Sequence, residues 1–172
     1  MAKDVTIQVF DKGFKHIMSE IRKLEDRPFI KAGVQGAKGL KKEADGKLTV
    51  VQVAVYNEFG APKANIPERA FIRSTHDTKS KEWFELVKKL KDLIYKGLSL
   101  DQALGILGLK MQTDIKDRIK HSRDWAKANS QSTYLRKLKK GGKPGEVVPL
   151  IDTGQMLNSI TFVKVMKSSE GE

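Results

Sequence analysis

Pro149-Leu150-Ile151-Asp152-Thr153-Gly154-Gln155-Met156-Leu157-Asn158-Ser159-Ile160-Thr161-Phe162-Val163-Lys164-Val165 is the stretch against which the rest of the chain is read. It holds an apolar arrival, a turn at Asp152, Thr153 and Gly154, a short polar-faced segment and an alternating exit. Asp and Thr side chains can bond backbone amides, and Gly154 admits positive φ, so the turn can be held by its own atoms. From Ile160 onward, Ile160, Phe162 and Lys164 fall on one side and Thr161, Val163 and Val165 on the other, which is the period of a strand. Coming after a long polar, basic segment, this is where the chain returns to a sheet.

Working outward, a second strand suits Phe29 to Val34, and Val5, Ile7 and Val9 alternate as a third. Between them Phe10, Phe14, Ile17, Met18, Ile21 and Leu24 fall at helical spacing, with Asp11 as N-cap and Arg27-Pro28 as the stop. The glycines and lysines from Gly33 to Gly46 read as a flexible basic loop. Thr49-Val50-Val51-Gln52 has the form of a capping box, which predicts a short helix from Val50 to Phe59 closed by Gly60, with a strand as the alternative for so many valines. Ala61-Pro62 and Ile66-Pro67 predict a rigid extended segment anchored by Phe71 and Ile72.

A long helix is expected from Ser74 or Thr75 to Tyr95, with a lysine-rich outer face and Gly97 as its stop. Ser99-Leu100-Asp101-Gln102 repeats the capping-box logic and opens another helix through Ile119. Gly105 and Gly108 inside it cost about 1 kcal/mol each relative to Ala unless another backbone packs close there. From His121 to Val148 no period is sustained, and Arg136, Lys137, Lys139, Lys140 and Lys143 crowd around Gly141-Gly142 and Pro144-Gly145, predicting a long loop or an arm. The fold class is therefore α+β: a small, mostly antiparallel sheet packed against three to four helices, with long flexible basic loops. One domain spans 1–166, and 167–172 is a tail.

Lys and Arg number 33 against 21 Asp and Glu, a formal net charge of +12. Self-repulsion on that scale calls for a polyanion or an acidic protein neighbour. Tyr134 beside the basic run and Trp125 before it suit contact with DNA or an acidic partner through Arg136, Lys137, Lys139, Lys140 and Lys143. Lysine exceeds arginine there, which favours diffuse electrostatics over base readout. Cysteine is absent, so disulfides and thiolate metal sites are excluded. With no long apolar run and no secretory apolar core, the expected protein is soluble, intracellular when made and without a membrane partner.

Nothing in the pattern points to catalysis. His16, His76 and His121 stand far apart with no metal-ligand spacing. Gly33, Gly36 and Gly39 match neither a dinucleotide nor a P-loop pattern, and there is no nucleophile elbow. Glu58 and Asp152 are the one imaginable carboxylate pair, and capping or turn duty is the simpler reading for both. The expectation is no enzyme, no catalytic residue, no cofactor and no metal.

Two stretches taken together carry a family resemblance. Val53-Ala54-Val55-Tyr56-Asn57-Glu58-Phe59-Gly60, followed by Ile66-Pro67-Glu68-Arg69-Ala70-Phe71-Ile72-Arg73, resembles the "A..NEFG....IPxRPFLR" signature of the virion morphogenesis and tail-completion proteins of long-tailed bacteriophages. Pro149 to Ile160 resembles the same family's "PLIDTGQLxxSI", and Asn129-Ser130 with Thr133 to Lys137 resembles its pre-motif loop. Ala70 departs from the pattern, standing where proline is usual.

The resemblance implies a structural virion protein of the phage neck, acting in tail completion or head-tail joining and assembled in the host cytoplasm. It implies a ring of about six copies or a multiple, touching the head-tail connector and the tail terminator or tail tube, with contact to packaged DNA. It gives Asn57, Glu58, Phe59 and Gly60 a turn, Pro67, Arg69 and Phe71 a docking role, and Asp152, Thr153 and Gly154 the orientation of the last strand. All of these are duties of fold or subunit interface. A tail terminator or head-closure protein is the alternative within the neck, and a small basic nucleic-acid-binding protein is the alternative from another class.

Overall fold

The computed structural model describes residues 13–42 and 46–166. Strands β1 (Phe29–Val34) and β2 (Ile160–Val165) pair antiparallel, with Phe29 opposite Val165 and Val34 opposite Ile160. Among the described residues they form a two-stranded sheet beside several helices, an α+β fold. The predicted Val5 strand and the Asp11 cap lie outside the described residues.

The helical layer over this sheet is α5 (Leu100–Lys120), which lies against both strands and pairs with α4 (Phe71–Tyr95). Alternation in β2 explains the contact. Ile160 is buried, the Phe162 ring lies on Gly108 of α5, and Lys164 Nζ donates to Asp101 Oδ1 at 2.6 Å. Thr161 and Val163 point to the other side, where Val163 is exposed. Gly108 has a close neighbour, though it is a side-chain ring and not the backbone expected there: a Cβ built on Gly108 would come within 2.2 Å of the Phe162 ring. Gly105 has open space around it.

Between α4 and α5, Trp83 Nε1 donates to Asp114 Oδ2 at 2.7 Å, and Lys110 Nζ donates to Asp114 Oδ1 at 2.7 Å. Both oxygens of this nearly buried carboxylate thus have partners, as burial of a charge requires. The main core joins Val50, Ala54, Phe71, Ile115, Ile119, Leu150, Met156 and Ile160. It gathers side chains from α3 (Val50–Phe59), α4, α5, the Pro149 segment, α8 (Gln155–Ser159) and β2. Helix α3 forms behind the Thr49–Gln52 capping box, and Gly60 ends it at φ 75°.

Several local expectations change. Helix α1 (Phe14–Arg22) covers only the middle of the stripe read from its spacing: Ile17, Met18 and Ile21 are half-buried, while Phe14 is 68% exposed and Leu24, just past the helix, is 50% exposed. Its buried residue is Glu20, whose Oε2 accepts the Leu100 N–H at 2.7 Å, placing a carboxylate at the N-terminus of α5. Lys23 donates to its other oxygen, and these two bonds hold the Glu20 carboxyl below its ordinary pKa. The loop expected after Gly33 contains a short helix, α2 (Gly36–Leu40), and Pro62–Ala64 is one 3-10 turn instead of extended chain.

Helix α4 begins at Phe71 instead of Ser74 or Thr75, because its first amides find a carboxylate elsewhere. The long loop or arm expected from His121 to Val148 contains two helices. Helix α6 (Ser122–Trp125) follows α5, and α7 (Gln131–Lys139) starts at Ser130, whose Oγ accepts the Thr133 N–H. Trp125 is not a surface aromatic: it packs against the core, donates to Arg118 O and lies under the Arg118 guanidinium.

Candidate functional site

The first motif is built around Arg69. Its backbone N–H donates to Asn57 O at 2.6 Å, and its guanidinium donates to Asn57 Oδ1, Lys127 O, Ala128 O and Asn129 Oδ1. The side chain is buried. Burial draws its pKa down from the usual guanidinium value, yet arginine starts so high that it stays charged. Arg69 thus ties the α3–α4 connection to the segment leading into α7 through three of these five bonds, the other two going to Asn57.

Glu58, one residue from Asn57, turns the other way. Its Oε2 accepts the Ile72 N–H and its Oε1 the Arg73 N–H, each at 2.9 Å. The residue at the N-cap position, Ala70, makes no side-chain cap bond. Glu58 therefore supplies from α3 the acceptor that α4 lacks. Phe59 is exposed, with the Arg73 guanidinium 4.8 Å above its ring. Gly60 needs to be glycine twice over, for its positive φ and because a Cβ would meet Glu68 N at 3.0 Å.

The second motif faces the first. Thr153 Oγ1 accepts the Gln155 N–H at 3.3 Å, and Gly154 at φ 76° opens α8. Asp152 reaches outward instead: its Oδ2 accepts from Arg136 Nη2 and from Lys140 Nζ, each at 3.4 Å. Lys137 requires a correction. Read as a contact for DNA or an acidic partner, it is buried, and its ammonium donates to Val148 O at 2.7 Å, Pro149 O at 3.0 Å and Ile151 O at 2.7 Å. An ammonium has three N–H bonds, so all are used. Burial pushes the Lys137 pKa down to about 8, Asp152 pulls it up, and Arg69, Arg136 and Lys140 push it down. Lys137 pins the Pro149 segment to α7. Arg136, Lys139, Lys140 and Lys143 are exposed.

Between the two motifs lies a cleft of about 360 Å³. Asn57, Pro67 and Arg69 line it from the first motif, and Asp152, Thr153 and Gly154 line it from the second. Val53, Ile66, Leu150 and Met156 are among its apolar lining residues. Arg69, Arg136, Lys137 and Lys140 contribute four cations and Asp152 the single carboxylate. Glu58 does not line it, so the imagined Glu58–Asp152 pair serves two separate ends. Glu58, Phe59 and Phe71 lie outside the cleft, with Glu58 and Phe71 buried and Phe59 on the surface.

Asn129 and Gln155, which the sequence reading placed in motif stretches without giving either a role, also line the cleft, and that reading missed the structural part of Lys137. The start of α7 was readable in Ser130-x-x-Thr133 as an N-cap followed by Tyr134, Leu135 and Leu138 at helical spacing. Among the described residues, no group of three His, Cys, Asp or Glu side chains is placed to hold a metal, and no helix is long and apolar enough to cross a membrane. No protein-family model, curated protein or solved structure matches the chain.

Proposed function

We propose that this chain is a structural protein of the phage neck, acting in tail completion or head-tail joining as a subunit of an oligomeric ring. One observation carries the reading. Asn57, Pro67 and Arg69 meet Asp152, Thr153 and Gly154 across one cleft, so the two sequence signatures form one structural unit. The charged side chains of that unit serve as staples: Arg69 and Lys137 bond backbone carbonyls, and Glu58 caps a helix. Such a unit suits an interface better than a reaction.

Around it, Arg136, Lys139, Lys140 and Lys143 present exposed charge to an acidic neighbour or to packaged DNA. The same exposure is what favours a small nucleic-acid-binding protein as the second reading. Imaging of a tagged chain in intact particles, and in separated heads and tails, tests the proposal. A ring at the neck is expected. Absence from the particle, together with duplex binding by the purified chain that falls steeply with salt, would replace it with the second reading.

A further inference from the structure

The cleft holds a carboxylate of its own in a way that invites exchange. Asp152 Oδ2 sits at 3.4 Å from both Arg136 Nη2 and Lys140 Nζ, at the long limit for charge-assisted bonds, which ordinarily lie at about 2.7–2.9 Å. Both cations are largely exposed and Asp152 is about a third exposed, so these contacts are screened and weak. Arg69 and Lys137 are saturated by protein oxygens and fixed. Arg136 and Lys140 are therefore the cations free to turn toward an incoming acid.

The rest of the cleft selects what that acid is attached to. Val53, Ile66, Leu150 and Met156 give its mixed lining apolar surface that suits apolar side chains beside the acid. A volume of about 360 Å³ takes a few residues of extended chain and cannot admit a duplex. Gln155 lines the same cleft, and its Oε1 is the one buried side-chain polar atom among the described residues with no hydrogen-bond donor. A glutamine amide carries both donors and an acceptor, the set that pairs with a peptide backbone, whereas a phosphate backbone brings no N–H to it.

We infer that the cleft is a socket for an extended acidic segment of a partner protein, and that Asp152 is its internal stand-in, displaced from Arg136 and Lys140 when a partner carboxylate arrives. This deepens the reading of the cleft as a contact surface and rests on it. The surrounding lysines raise the encounter rate, and the cleft supplies the selection.

The experiment uses the purified full chain and acetyl-Leu-Glu-Leu-Glu-amide, with acetyl-Leu-Gln-Leu-Gln-amide and a short DNA duplex as comparisons, followed by amide chemical shifts. Saturable shifts confined to Asn57, Arg69, Asn129 and the Asp152–Gln155 turn are expected with the acidic peptide only. D152N should tighten binding by about threefold, the scale of a weak exposed pair. R136A with K140A should weaken it by about tenfold, whereas K139A with K143A, outside the cleft, should leave it within twofold of the parent, taking twofold as the rough error of such a titration. Circular dichroism confirms that each variant is folded. No saturable shift with the parent and D152N proteins, equal shifts with the glutamine peptide, or equal weakening by K139A with K143A would overturn the inference. Failure of the neck reading shows elsewhere, as absence from particles with peptide binding intact.

Discussion

Glu58 closes the N-terminus of α4 across a gap of 14 residues, its Oε2 accepting the Ile72 N–H at 2.9 Å. Its Oε1 accepts the Arg73 N–H, so two of the helix's unpaired first amides are satisfied by one buried carboxylate from α3. The negative charge also opposes the positive end of the helix dipole. E58Q keeps one acceptor oxygen and loses the charge, and E58A loses both. Expected losses of unfolding free energy are about 1 and about 2 kcal/mol respectively. Urea titration reads them as a lower midpoint at unchanged slope. A loss below about 0.3 kcal/mol in E58A would show that α4 does not depend on this cap.

Ala70 occupies the position before Phe71 at φ −65°, the angle a proline ring imposes. Its carbonyl, which proline would retain, accepts the Ser74 N–H. A70P should therefore raise stability by about 0.4–1 kcal/mol, mainly by restricting the unfolded chain. A lower thermal midpoint in A70P would mean that Arg69 cannot take the backbone conformation a following proline demands.

Gly105 and Gly108 make a matched pair within α5. G105A adds a methyl group to open space and should stabilise the helix by up to about 1 kcal/mol. G108A drives a methyl into the Phe162 ring and should cost about 1–3 kcal/mol as α5 and β2 are forced apart. Thermal unfolding of the two variants side by side should give shifts of opposite sign. Equal shifts would put the α5–β2 contact in error.

Lys137 predicts both a loss and a pH window. K137M removes three donors and leaves the Val148, Pro149 and Ile151 carbonyls without them, at a cost of about 2 kcal/mol at pH 7. The folded pKa of about 8 lies below the value of about 10.4 expected in the unfolded chain. Between those limits the unfolded chain binds more protons, so the contribution of Lys137 to stability rises with pH across the window and is flat below it. The free-energy gap between the parent and K137M should widen from pH 8 to pH 10, by at most about 1.4 kcal/mol per pH unit. A constant gap would show that Lys137 titrates as an ordinary lysine.

What the amino-acid sequence determined by itself is what is decided within a few residues. The Thr49–Gln52 and Ser99–Gln102 boxes start α3 and α5 because donor and acceptor lie three residues apart and close their own bonds. The Phe29 and Ile160 strands are legible because side chains alternate on a pleat whatever they pack against. Asn57, Arg69 and the Asp152 turn could be singled out as motif residues, but not placed across one cleft.

Only the tertiary structure decided where polar side chains meet distant backbone. Glu20 reaches an amide 80 residues away, Arg69 a carbonyl 58 residues away, and Lys137 carbonyls 11 to 14 residues ahead. Each of these residues looks like surface charge in a linear reading. Each is buried where the fold brings backbone groups to it, and the hydrogen bonds it makes to them offset the cost of taking its charge out of water while leaving those backbone groups paired. The same reason turned the expected basic arm into α7: its one buried lysine is where the Pro149 segment is fastened, and that requires the segment to be folded beside it.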